Sequence, residues 1–238
     1  MRPMMTRVSI PILLTGTLLL SGSRPAASPN EETDRIQNSL TVLRDLTSTP
    51  ENSIPKGLLQ RAEAIVVIPS LVKGGFIVGA KHGKGVLSVR DDERRWSSPA
   101  FMKMTGGSIG WQIGVESVDL VLLVMNRGGI NDLLSDKFTL GGNMSVAAGP
   151  VGRNADAATD VKLGSEILAY SRAKGLFAGA SLEGASLTGD KDSNEAFYGT
   201  KISPREIIDR HVTASSAIAE TWRTTLRNLS SPPAGGVR

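Results

Sequence analysis

Few residues of this chain have the types and spacing that could carry chemistry. Gly106-Gly107-Ser108-Ile109-Gly110 matches G-x-S-x-G, the nucleophile elbow of serine hydrolases. That chemistry needs a strand before the serine and a helix directly after it, so that a strained turn lifts the hydroxyl toward a histidine and an oxyanion hole. Residues 111–125 are instead rich in Val, Ile and Gly and predict strand. The two histidines, His82 and His211, fall in a glycine-rich turn and a predicted helix. In a chain with 26 glycines the match arises readily, and glycines at the bends of a curved sheet explain it better. No catalytic residue is therefore assigned, and a hydrolase using Ser108 is kept as the alternative.

Asp190, Asp192, Asn194 and Glu195 form a second polar cluster, expected as a loop. A calcium-binding EF-hand starting at Asp190 would need glycine at its sixth position and an acid at its twelfth, where Glu195 and Lys201 stand. A turn capped by Asx side chains is the expectation, with no metal and no cofactor. The chain has no cysteine, which rules out disulfides, thiolate metal sites and cysteine nucleophiles. The G-x-x-x-x-G-K-[ST] spacing of a phosphate-cradling P-loop is also absent.

Basic residues are the third group. Lys73, Lys81, His82, Lys84 and Arg90 fall close together, and Arg94 and Arg95 follow beyond Asp91-Asp92-Glu93. The plain reading is a solvated loop. The functional one is a surface that meets anionic head groups, where each cation near a membrane contributes about 1 kcal/mol. Lys56, Arg61, Lys81, Lys84, Arg90 and Lys103 are the candidate head-group residues, chosen for charge and for position beside predicted turns.

The elements that must position these residues are read as follows. Asn30–Thr47 carries Ile36, Leu40, Leu43 and Leu46 at helical spacing, with Glu31, Glu32 and Asp34 in the first turn, where the helix dipole favours them; Thr49-Pro50 stops it. A short helix is predicted over Ile54–Glu63, capped by Ser53 with Pro55 in its first turn. Ala64–Ile68 is an apolar run closed by Pro69, and 74–96 predicts a hairpin turning at His82-Gly83-Lys84-Gly85. Val118–Met125 is an aliphatic run broken only by Asp119, too short to cross a bilayer, and predicts a buried strand at the centre of a β-rich core.

Gly128–Leu134 predicts a helical turn, Phe138–Ala148 strand-like alternation, and Glu166–Leu187 paired strands. Ser203-Pro204-Arg205-Glu206 is a capping box with proline at the first helical position. It opens an apolar stripe from Ile207 to Leu229 with a break near Thr213–Ser216.

Residues 1–28 read as an export signal: Arg2 and Arg7 precede the apolar run Val8–Leu20, and small residues follow at Ser21-Gly22-Ser23 and Ala26-Ala27-Ser28. The expected location is exported, periplasmic or envelope-associated, with an uncleaved anchor as the competing reading. Leu20-Ser21-Gly22-Ser23 looks like a lipoprotein box with serine in place of the lipid-bearing cysteine. Loss of at least Arg2 and Arg7 lowers the formal charge from +4 to about +2, or to +1 when Arg24 leaves with residues 1–28, which makes non-specific nucleic-acid binding an unsuitable role. The expected organisation is signal 1–28, helix and linker 29–50, one domain over 51–229, and a disordered tail 230–238.

The ordered blocks AEAIVVIP, GFIVGAKHGKGVLSVR, WSSPAF, GGSIGWQIGVESVDLVLLVMN, AAGPVGR, AYSRAKGLFAGASLEG and SNEAFYG resemble the SYLF domain, or Ysc84 family, over about residues 35–210. The resemblance implies a non-enzymatic domain that binds membrane lipids, phosphoinositides in eukaryotic members, some of which bind actin and accompany SH3 or FYVE domains. Those members use a basic amphipathic segment at the N-terminal end of the domain; the matching stretch here, around Ile54–Glu63, carries only Lys56 and Arg61. Abundant anionic phospholipids or a membrane surface are thus the expected partners, with the oligomeric state left open. A structural or oligomerising envelope protein is a third reading.

The expected fold class is α+β: a strongly curved, mainly antiparallel sheet, barrel-like or a sandwich, with helices near the N- and C-terminal ends.

Overall fold

The computed structural model describes residues 29–48, 53–135, 138–152, 166–173, 176–177, 182 and 184–231. The expected signal, the Thr49-Pro50 stop, Arg153 and the tail beyond Ser231 lie outside the described residues.

Helix α1, Pro29–Ser48, follows its sequence spacing: Ile36, Leu40, Leu43 and Leu46 all face inward and are buried. Burying each such side chain contributes about 1.5–3 kcal/mol. After the short α2, Lys56–Arg61, come two very long strands, β1 over Ala64–Val89 and β2 over Ala100–Val124. They pair antiparallel along nearly their whole length, from Ala64 opposite Val124 to Leu87 opposite Ala100, with irregularities after Ile68 and Gly75. The remaining elements are α3, Gly128–Leu133; β3, Phe138–Thr139; β4, Val146–Ala148; β5, Ile167–Ala173; β6, Leu176–Phe177; β7, Ser186–Gly189; α4, Lys191–Tyr198; α5, Pro204–Asp209; and α6, Ala217–Leu229.

Strand β2 is the hub of the sheet. One edge takes β1; the other takes β7 beside Met102–Thr105 and β5 beside Asp119–Val124. Apart from the parallel β4–β5 pair, the pairings are antiparallel. The sheet curls strongly: a Cβ placed on Gly85 would stand 2.4 Å from the Val67 carbonyl oxygen, so two segments of β1 itself are in contact. Ile68, Leu71, Leu87, Met102, Met104, Leu120 and Leu122 fill the inside of this curl. Their alternates Ile65, Val67, Phe101, Val121 and Leu123 face outward under α1, α2 and α6. Because both faces are covered, Leu120–Val124 is apolar without alternation, as expected for a strand buried on two sides. The α+β class and the helices at both ends agree with the sequence expectation.

Four local expectations need correction. His82–Gly85 is not a turn: it lies inside β1, and the hairpin turns instead at 90–99. Pro69 does not close the first run, because the strand continues through a register shift there. The 190–195 cluster is not a loop: Asp190 caps α4 by accepting from the Ser193 N–H, and Gly199, at φ 71°, ends the helix in the left-handed region. Finally, α2 begins after Pro55 with no side-chain cap, so Ser53 does not serve as one.

The capping box at Ser203 and Glu206 is present, and the break in the last stripe separates α5 from α6. Among the described residues no helix is long and apolar enough to cross a membrane.

Candidate anion-binding cleft

The polar end of the domain is built by the β1–β2 turn. Asp91 organises it: its Oδ1 accepts from the backbone N–H groups of Glu93 at 3.0 Å and Arg95 at 2.8 Å. Arg94 takes a left-handed φ of 64°, which turns the chain back so that Arg90 and Trp96 form an isolated bridge. Helix α6 docks beside this turn through two tryptophan–serine bonds, Trp222 Nε1 to Ser88 Oγ at 2.7 Å and Trp96 Nε1 to Ser230 Oγ at 3.0 Å. The same indoles are deeply buried, so packing and hydrogen bonding fix the helix in one place.

Between turn and helix lies a cleft of about 710 Å³. Arg90, Arg94, Arg95, Arg223, Arg227 and His211 line it, against the carboxylates of Asp91 and Glu220. Arg90 is 6% exposed, its guanidinium stacked 4.4 Å from the Trp96 ring centroid. Its Nη2 donates to the Leu59 carbonyl at 3.3 Å, while its Nε has no hydrogen-bond partner among the described residues. Burial pushes the Arg90 pKa down to about 10; the charge of Arg94 adds to the effect and that of Glu63 opposes it. Arg94 pairs with Glu63 and donates to the Gln60 carbonyl. Arg223 and Arg227 both turn to the single carboxylate of Glu220, and Arg223 also donates to Ser98 Oγ at 3.4 Å.

The six candidate head-group residues are not brought together. Arg90 alone of them lines the cleft. Lys56 and Arg61 are exposed on α2, whose Leu59 and Gln60 carbonyls accept from Arg90 and Arg94, so α2 borders the same end of the domain.

Lys84 and Lys103 face each other across β1 and β2, an arrangement of like charges that is unfavourable alone. Each has its own carboxylate: Lys84 pairs with Glu31 at 2.6 Å, and Lys103 with Asp190 at 2.8 Å. Lys81 is 6% exposed within β1, and burial, with the nearby Lys73 charge, lowers its pKa. The Lys73–Lys84 part of the predicted basic loop is therefore strand, and Lys84 and Lys103 tie α1 and α4 to the sheet.

Sequence reasoning did not single out Arg223 or Arg227, and it weighed His211 only as a partner for Ser108. The only available signal was the pair of arginines four residues apart beside the α6 stripe, which places both on one helical flank.

Backbone pairing sets Ser108 opposite Gly79 in the middle of β2. No helix follows it, so the elbow context fails; its side chain lies outside the described residues. Among the described residues no group of three or more His, Asp or Glu could hold a metal ion.

Comparison with known proteins adds the lineage. The family model described as Ysc84, Las17-binding protein actin regulator, matches residues 105–229. LAS seventeen-binding protein 3 of Saccharomyces cerevisiae is 34% identical over 173 residues, covering 71% of this chain and 38% of that protein. Protein YSC84 of the same yeast is 36% identical over 162 residues, covering 67% and 34%. The SH3 domain-containing YSC84-like protein 1 of Mus musculus is 31% identical over 186 residues, covering 76% and 54%. The chain thus spans from about a third to about half the length of these curated relatives.

Proposed function

The chain belongs to the Ysc84 family, the SYLF domain proteins, and from that premise we propose that it is a non-enzymatic binding module whose basic end associates with anionic phospholipid. One observation carries the reading: five arginines and a histidine gather around one cleft against two carboxylates, with Lys56 and Arg61 on the bordering helix. Such a concentration of guanidinium groups draws anionic surfaces by long-range attraction and holds them by charge-assisted hydrogen bonds to phosphate oxygens. Lys84 and Lys103, already committed to Glu31 and Asp190, serve mainly to hold the helices. With residues 1–28 acting as an export signal, the surface met is that of the bacterial envelope; N-terminal sequencing of the exported form tests this.

The family description favours a second reading, a protein partner bound through the same end, since the relatives are named for binding Las17 and regulating actin. Flotation with vesicles separates the two. Reversal of exposed charge in an Arg95→Glu/Arg227→Glu variant should abolish association with phosphatidylglycerol vesicles if the lipid reading holds. Vesicle association equal to that of the unaltered chain would refute it.

A further inference from the structure

We propose that the cleft between the β1–β2 turn and α6 is a binding site for a single phosphate monoester group, with Arg90 in its wall and Arg223 and Arg227 on its α6 side. The inference deepens the lipid reading and rests on the same basic end of the domain, but it assigns a bounded site rather than a charged surface.

Three observations converge on it. Arg90 is more than nine-tenths buried, yet among the described residues its guanidinium donates only to one neutral carbonyl at 3.3 Å and its Nε has no partner. The Trp96 ring and the charge of Glu63 compensate this buried cation only in part, and an anion within reach completes the compensation. Across the cleft, Arg223 and Arg227 share one carboxylate, Glu220, so the two guanidinium groups retain donor capacity; a guanidinium fork matches two oxygens of a phosphate. Finally, Arg94 and His211, neither of them glycine, both line the cleft with left-handed φ values of 64° and 49°. Such conformations are strained and persist where the surroundings enforce them, often at ligand sites.

The size of the cleft bears on the ligand class. At about 710 Å³ it exceeds what a bare phosphate fills and suits a phosphate with its organic substituent attached. With Arg94 paired to Glu63 and Arg95 to Asp91 and Glu93, Arg90, Arg223 and Arg227 are left against Glu220 alone, and a monoester, which carries close to two negative charges near neutrality as a phosphoserine does, matches that excess better than a singly charged diester. Two sources present this group, a soluble phosphate monoester and a lipid head group.

The test uses the full chain, with glycerol 3-phosphate as the soluble probe and vesicles containing phosphatidic acid as the lipid one. Binding is read from tryptophan fluorescence, since Trp96 lies under Arg90, and from backbone chemical shifts. Glycerol 3-phosphate should bind saturably with shifts at Trp96–Ser98 and His211, and an Arg223→Gln/Arg227→Gln variant should weaken it by about tenfold or more. Lys201→Gln, an exposed cation outside the cleft, should leave the affinity unchanged. Arg90→Gln is informative only if it folds; the α6 pair keeps the test decisive otherwise.

Loss of both soluble and vesicle binding in the α6 variant supports the site as a lipid head-group pocket. Soluble binding that the α6 variant weakens, without vesicle binding, supports the site with a soluble ligand and removes the lipid reading. Vesicle binding with no response to glycerol 3-phosphate overturns the site and leaves the charged-surface reading standing. No response to either overturns both.

Discussion

Gly85 and Val67, two residues of one strand, are in contact: a Cβ on Gly85 would meet the Val67 carbonyl oxygen at 2.4 Å and Ile68 Cγ1 at 2.6 Å. The strand therefore curls until its own segments pack together. This encloses the inner core and leaves the outward face for α1, α2 and α6 to cover. The cleft follows from that geometry, since the curl brings the β1–β2 turn to the end where α6 docks through Trp222 and Ser88.

Gly85→Ala should destabilise the protein by about 1–3 kcal/mol, because the obstacle is backbone and cannot move as a side chain can. Gly107→Ala is the matched control: nothing among the described residues lies within 4 Å of its added Cβ and its φ is not in the left-handed region. Its stability should change little or rise slightly, because alanine narrows the unfolded ensemble. Chemical denaturation of both variants checks this; equal losses would mean that the contact within β1 does not exist.

The second prediction concerns how α1 is held. Arg35 on α1 donates to Asp190 at 3.0 Å across 155 residues of sequence, with exposures of 5% and 1%. Asp190 also accepts from Ser193 Oγ at 2.9 Å and pairs with Lys103 at 2.8 Å, and Arg35 lies 5.2 Å from the Phe101 ring centroid. Asp190→Ala should cost about 3–5 kcal/mol, chiefly because Arg35 and Lys103 lose their carboxylate. Arg35→Met combined with Asp190→Leu should cost clearly less than the sum of the two single changes. Strict additivity in that double-mutant cycle would contradict the coupling.

Acid stability follows from the same carboxylate. Burial tends to raise the Asp190 pKa, but hydrogen bonds from Lys103 and Ser193 and the charges of Lys103 and Arg35 outweigh it and hold the carboxyl below its ordinary value. A group whose folded pKa is depressed stabilises fully above its unfolded value, about 3.9 for aspartate, and loses that contribution as pH falls through the folded value. The stability gap between the unaltered protein and Asp190→Asn should thus be constant near neutrality and shrink below about pH 4. A gap that widens on acidification would show the opposite shift.

Much of the fold was legible in the sequence because local and tertiary preferences agree there. The α1 stripe, the strand around Val118–Val124 and the Ser203 capping box each state the same answer at both levels. The length of β1 was not legible. Pro69, Gly83 and Gly85 are turn formers locally, yet here two of them, the glycines, exist to admit Ile68, Leu71 and Val67 against the strand.

Asp190 misled in a similar way: its acid neighbours suggested a loop, whereas it caps α4 and answers Arg35. The cleft was only half visible. Arg90, Arg94 and Arg95 stand out as a basic run, but their counterparts on α6 become neighbours only once bonds such as Trp96 to Ser230, 134 residues apart, have closed.

The central claim is that the basic end of this domain meets anionic lipid, and co-sedimentation of the full chain with phosphatidylglycerol and phosphatidylcholine vesicles, at low and high salt, tests it most directly. The account predicts binding to the anionic vesicles only, weakened steeply by salt because the interaction is between exposed charges. Equal partition into both vesicle types regardless of salt, or no binding to either, would contradict it.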